Sequence, residues 1–220
     1  MNDILARNIL LLGALDEISE AAAKKNLKLI LLKGAALLAE GVYGPSEREM
    51  TDLDLLIRPT DEKAFDFLLA GLGFKPMENS SQAYYRPSSL SLAPPVIVDL
   101  HTALWHEKNT SALWHRAARA REDMRFPALG FEDQVLHLAS HTLLNHGCLK
   151  PRTLEDLARL LKFIYRKTDR SGFWLRASDI AAGEKLKPAL YPVFTRLSNA
   201  HPALMSAKEL SAFEPRGTEK

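Results

Sequence analysis

Apolar residues in the first segment recur at helical spacing: Ile4, Leu5, Leu11, Leu12, Leu15, Ile18 and Ala22 share one stripe, while Asp16, Glu17, Glu20, Lys24 and Lys25 fall elsewhere. This predicts an amphipathic helix, ended at Asn26, that packs on a sheet. The apolar run Leu29 to Leu32 then reads as a short strand, interrupted by Lys33-Gly34. Ala35 to Glu40 has helix-forming composition and meets a stop at Gly41. After a polar loop, Leu53, Leu55, Leu56 and Ile57 form a second strand, with Asp52 and Asp54 flanking Leu53 at its start.

Arg58-Pro59 breaks that strand, and Thr60 stands where the N-cap of a helix over Asp61 to Ala70 is expected, with Gly71 and Gly73 closing it. The stretches Ala83 to Arg86, Ser89 to Leu92 and Val96 to His101, with Pro94-Pro95 as a turn, predict two or three antiparallel strands. From Thr110 onward the period is helical: Ser111 to Arg121, Phe131 to Asn145, Thr153 to Tyr165, Gly172 to Ala182 and Leu186 to Ser198. In the third of these, Leu154, Leu157, Leu160, Leu161 and Ile164 share a face. The fold class expected is α+β, a small mixed or antiparallel sheet with flanking helices followed by an all-α half. The domains expected are 1–125 (α/β), 126–214 (helical) and a disordered tail over 215–220.

The candidate chemistry gathers on the strands. Residues two apart on a strand point to one face, so Asp52 and Asp54 present two carboxylates to the same spot. Like charges held together favour a divalent cation between them. A third acid, Asp99, lies in the strand Val96 to His101, and three carboxylates at one sheet edge suit two Mg²⁺ ions, with Mn²⁺ as an alternative, in phosphoryl or nucleotidyl transfer. His101 shares the face of Asp99, where it assists proton transfer, orients Asp99, or serves as a hydrogen-bonded structural residue. Gly34 permits close backbone approach, and the amides of Gly34 and Ala35 at the helix start suit phosphate oxygens. Lys33 and Arg48 are the candidates for a triphosphate, and Lys33 has a competing reading as a salt bridge to one of the aspartates.

The motifs L-L-K-G-A-A (31–36), R-x-M-x-D-x-D-L-L-I (48–57) and V-D-L-H (98–101) resemble those of the uncharacterised nucleotidyltransferase family within the DNA polymerase β-like superfamily. Leu136 to His141 and Leu154 to Arg159 are similar to that family's helical half, so the resemblance covers nearly the whole chain. It implies that Asp52 and Asp54 bind metals, one of which bridges the nucleotide phosphates; Asp99 reads as completing that site and accepting, or helping a metal remove, the hydroxyl proton, against a rival reading as the partner of a neighbouring lysine or arginine. It also implies transfer of a nucleoside monophosphate from an NTP, ATP by default, to a hydroxyl of an unspecified acceptor with release of pyrophosphate. Most members of the wider superfamily carry Gly-Ser or Gly-Gly at the turn; here Gly34-Ala35 offers no serine hydroxyl. That difference motivates the rival expectation of a nucleotide-binding regulatory or partner-binding module without turnover.

Composition narrows the alternatives. The 29 basic and 27 acidic residues leave a net charge of +2, too balanced for nucleic-acid binding by bulk electrostatics. A single cysteine, Cys148, cannot form an intrachain disulfide, and no apolar stretch approaches the ~20 residues of a membrane span. The N-terminus lacks the features of a signal peptide, and a cytoplasmic location is expected. His137 and His141 have the spacing of a helical metal pair but lack further ligands, and read as core or interface histidines. Trp105, Trp114 and Trp174 read as packing residues, and Arg116, Arg119, Arg121 and Arg125 as a solvated basic face.

Overall fold

The computed structural model describes residues 3–78, 80, 82–88, 94–105, 110–120 and 126–215. They form two compact units, within Met1–Leu129 and Gly130–Lys220. The first holds helix α1 (Asp3–Lys24), strand β1 (Leu29–Leu31), α2 (Lys33–Ala39), β2 (Leu53–Ile57), α3 (Glu62–Gly71), β3 (Lys75–Pro76), β4 (Ala83–Arg86), β5 (Val96–His101) and α4 (Ser111–Ala120). The strands make one mixed sheet in the order β1-β2-β5-β4-β3, in which β2 and β5 run parallel and the other pairs antiparallel.

Strand alternation gives the sheet two unlike faces. Leu29, Leu31, Leu53, Leu55, Ile57, Val96, Val98 and Leu100 build the main core with Leu11, Leu15 and Ile18 of α1 and Phe65, Leu68 and Leu69 of α3. The expected stripe of α1 therefore does pack on the sheet. The intervening residues face the other way: Ile30, Leu32 and Leu56 join Leu104, Leu113 and Ala117 in a smaller cluster, with Trp105 and Trp114 packed against it. Asp54, Asp99 and His101 alternate onto this second face.

Two local expectations change. Helix α2 begins at Lys33, so Lys33-Gly34 is the helix's first turn rather than a separate turn before it. Thr60 does not cap α3; a 3-10 turn over Pro59–Asp61 leads into the helix, and the Thr60 hydroxyl donates to Asp61 at 3.1 Å. Proline at the first position of that turn fixes φ and displaces the cap by one residue. The segment Ser89 to Leu92 lies outside the described residues, as do Arg121, Arg125 and the tail beyond Pro215.

The second unit contains α5 (Phe131–His146), α6 (Pro151–Ile164), α7 (Arg170–Gly183), α8 (Lys187–Ala200) and α9 (Ala207–Ser211). Phe173, Trp174, Phe194 and Phe213 meet edge to face in its core. The short α9 was not expected from periodicity. It is held by a capping box, in which Ser206 and Glu209 bond each other's backbone amides, and by a two-pronged ion pair from Arg170 to Glu209 at 2.7 and 2.6 Å. Among the described residues no helix is long and apolar enough to cross a membrane.

Candidate active site

The parallel pairing of β2 and β5 sets Asp54 directly opposite Asp99. Asp52 lies two residues before Asp54 in the extended entry to β2. The sheet thus collects three carboxylates that are 47 residues apart in sequence at their extremes, and no local pattern could have set their register.

Asp54 is the most enclosed of the three, its side chain 5% exposed. Its Oδ1 accepts a hydrogen bond from Lys33 Nζ at 2.6 Å and lies 2.8 Å from His101 Nε2. Burial pushes the Asp54 pKa up, but the hydrogen bond from His101 and the charge of Lys33 outweigh it and hold the carboxyl below the usual range. Asp99 behaves oppositely: burial and the neighbouring charges of Asp54 and Asp52 raise its pKa. Of the readings open for His101, the structure shows a hydrogen bond to a carboxylate, and that carboxylate is Asp54 rather than Asp99. With Asp99 level with Asp54 and His101 level with Leu56, the imidazole reaches diagonally across the strands to Asp54. Among the described residues nothing hydrogen-bonds the Asp99 carboxylate.

Lys33 adopts φ +46, the left-handed region that residues with a Cβ seldom occupy, at a typical cost of about 1–3 kcal/mol. The strained backbone sits where β1 becomes α2, and Leu32 N donates to Asp54 O at 3.0 Å, which ties the start of the helix to the aspartate strand. The salt-bridge reading of Lys33 is the one seen here. Gly34 follows, and a Cβ at this position would lie 2.3 Å from Arg48 Nη1 and 3.2 Å from its Cζ. Glycine therefore leaves room for the guanidinium to lie over the helix start. Ala35 is buried behind it in the main core. Lys33, Gly34, Arg48 and Asp54 accordingly meet at one end of the second sheet face.

Two residues not singled out in the sequence position this end. Asn8, fully buried on α1, donates from Nδ2 to Pro45 O and Arg48 O, both at 2.7 Å, and its Oδ1 accepts from Met50 N at 2.9 Å. Arg7 donates to Thr51 O at 2.8 Å and Pro94 O at 2.9 Å. Together they clamp the loop that carries Arg48 and delivers Asp52, whose Oδ1 accepts from Thr51 Oγ1 at 3.0 Å. The available signal was a polar residue at a position of the apolar stripe, since Asn8, Leu11, Leu15, Ile18 and Ala22 are all buried. Asn8→Ala would leave the buried Met50 amide without its acceptor; a loss of about 1–3 kcal/mol in unfolding free energy is expected, read by denaturant titration.

The other candidates belong to other elements of the chain. His137 is buried on α5 with its ring 5.5 Å from that of His141, and Cys148 is exposed. Among the described residues no three His, Cys, Asp or Glu side chains already converge to hold a metal ion. Trp174 is buried in the helical core, whereas Trp105 and Trp114 border the second sheet face.

The strand order and the helices laid against it define a nucleotidyltransferase-like fold. Two structures of the antibiotic-resistance factor ANT(2″)-Ia share it. The crystal structure in complex with adenylyl-2″-tobramycin has a TM-score of 0.54 at 13% identity, covering 77% of this chain and 96% of the other. The solution structure has a TM-score of 0.55 at 14% identity, covering 89% and 99%. Residues 1–196 match the family described as uncharacterised nucleotidyltransferase, and the chain belongs to that family. No curated protein matches the sequence significantly.

Proposed function

We propose that the protein transfers a nucleoside monophosphate from an NTP, ATP foremost, to a hydroxyl of a small acceptor and releases pyrophosphate. The observation that carries this reading is the parallel register that sets Asp54 beside Asp99, with Asp52 two residues away and Lys33 bonded to Asp54. The donor chemistry suits a hard divalent cation: the carboxylates are oxygen ligands, and the Asp99 pKa is raised by burial first and then by repulsion from Asp54 and Asp52, which a cation would relieve. Asp52, Asp54 and Asp99 would hold two such ions, Mg²⁺ or Mn²⁺, which when bound supply Lewis-acid polarisation of the phosphoryl oxygens.

The chain's own residues would do the rest. Lys33 and Arg48 take the negative charge of the triphosphate, helped by the amides of Gly34 and Ala35 at the start of α2. The acceptor oxygen attacks the α-phosphorus; the new O–P bond forms as the bond to the bridging oxygen breaks, and pyrophosphate leaves with that electron pair. Asp99 receives the hydroxyl proton at its carboxylate, a role suited to a carboxyl of raised pKa. His101 holds the Asp54 carboxylate in place. The single cysteine suits a reducing, cytoplasmic setting.

Calorimetric titration with ATP, GTP, CTP and UTP, with and without Mg²⁺, tests the reading without knowledge of the acceptor. The native chain is expected to bind at least one nucleotide only with Mg²⁺, and the Asp52→Asn, Asp54→Asn double variant to lose that binding or its metal requirement. No binding by the native chain would overturn the reading. Metal-dependent binding without transfer to any acceptor would leave a nucleotide-binding module.

A further inference from the structure

A second opening lies on the same sheet face, at the end away from Lys33 and Arg48. It is a cleft of about 480 Å³ lined by Arg58, Pro59, Thr60, Thr110, Ser111, Trp114 and His115. Arg58 directly follows β2 in extended conformation, so Asp52, Asp54, Leu56 and Arg58 alternate onto one face. Four residues of strand separate Asp54 from Arg58, about 13 Å at 3.3 Å per residue. The smaller apolar cluster around Leu56, Leu104 and Leu113 floors the space between them.

The chemistry of this cleft is specific. The Arg58 guanidinium lies over the Trp114 ring, Cζ 5.2 Å from its centroid, and a cation–π contact of this kind positions the donor fork while leaving N–H groups available. Among the described residues no carboxylate pairs with Arg58. Among the described residues no acid lines the cleft either; Asp61, next to it in sequence, takes the Thr60 hydroxyl. The remaining walls supply three hydroxyls and an imidazole. An unpaired, pre-organised arginine is a receptor for an anionic oxygen group.

We propose that this cleft is the acceptor subsite and that the acceptor is a hydroxylated small molecule bearing a phosphate or carboxylate, which Arg58 grips. The assignment rests on the transferase reading given above. In-line displacement places the attacking hydroxyl opposite the leaving pyrophosphate. With Lys33, Gly34 and Arg48 holding the phosphates at one end of the carboxylates, the acceptor approaches from the other, where the cleft lies. Among its described lining residues a polycationic acceptor finds no countercharge.

The test uses the full chain with Mg²⁺ and ATP labelled at the α-phosphorus. It is offered tobramycin and a small-molecule cell extract divided on ion-exchange resins into anionic, cationic and neutral fractions. Labelled product is expected from the anionic fraction, and phosphatase treatment of that fraction separates phosphate-bearing acceptors, which it destroys, from carboxylates, which it spares. Arg58→Gln is expected to raise the KM for that fraction by roughly 10- to 100-fold with kcat little changed, Arg58→Lys to recover part of it, and both to bind the nucleotide normally in the calorimeter. Product from tobramycin, the cationic fraction or the neutral fraction alone, or an Arg58→Gln enzyme with native KM, overturns the acceptor assignment while leaving the transferase reading standing. No product from any source, with nucleotide binding intact, overturns both.

Discussion

Asp99→Asn is expected to slow transfer severely and at the same time to stabilise the metal-free protein. The Asp99 carboxyl has a raised pKa, from burial first and then from the charges of Asp54 and Asp52. The folded chain therefore binds its proton more readily than the unfolded chain does. Its contribution to stability is fully present below the ordinary carboxylate range and is lost as pH rises through the folded value, so at neutral pH the ionised group opposes folding. Asparagine removes that charge with almost no change in volume. The melting temperature at neutral pH should rise, and the fall in stability on going from acid toward neutral pH should flatten, in scanning calorimetry with a chelator present. Transfer should drop by roughly 10²- to 10³-fold, the scale on which removal of one directly acting polar group is felt. A fall in melting temperature would mean that a favourable contact holds the carboxylate, contrary to its lack of a described partner.

Asp54 shows the opposite linkage. Its pKa is held low against burial by His101 and Lys33, so its contribution to stability is present above the ordinary carboxylate range and lost as pH falls through the lower folded value. Adjacent carboxylates with pKa values driven apart are a common mark of a site built for chemistry. Here the sheet register causes the divergence: it places Asp54 where two cationic side chains reach one oxygen, and Asp99 where burial and the charges of Asp54 and Asp52 outweigh the weaker pull of His101 and Lys33.

Much of this arrangement was legible in the chain. Alternation put Asp52 and Asp54 on one face of a strand, and the apolar stripe of α1 and the leucine face of α6 gave helices within a few residues of their observed bounds. These features are local, and local periodicity records them. The placement of β5 between β2 and β4 is not local. It arises because a parallel neighbour for β2 must come from a distant part of the chain, and the side chains that fix it, Val96, Val98 and Leu100, would satisfy several registers equally. The diagonal bond from His101 to Asp54 depends on that register, which is why alternation alone left the partner of His101 open. Asn8 went unnoticed because one asparagine within a helix is ordinary until its three backbone partners are seen. Helix α9 was legible after all: Ser206 followed three residues later by Glu209 is a capping box, overlooked because the helix is too short to show a period.

The Lys33–Asp54 bond bears on how the site would load. Lys33 Nζ sits on the same Asp54 oxygen that His101 approaches, and an ammonium 2.6 Å from a carboxylate oxygen competes with any metal ion for it. The strained backbone at Lys33 shows that the surrounding fold holds the side chain in this place against its own preference. A triphosphate arriving over Gly34 offers the ammonium more negative charge than Asp54 does, and on moving to it Lys33 would free the carboxylate for the cation. Lys33→Met should therefore change two affinities in opposite directions. Nucleotide binding should weaken by roughly 10- to 100-fold, as for loss of a charged hydrogen bond. Mn²⁺ binding to the nucleotide-free chain, followed by electron paramagnetic resonance of the free ion, should tighten. If Mn²⁺ affinity stays the same while nucleotide affinity falls, Lys33 serves the phosphates alone and the carboxylates are open to metal from the start. If both weaken, the lysine is holding Asp54 in the geometry that the metal needs, and the competition runs the other way.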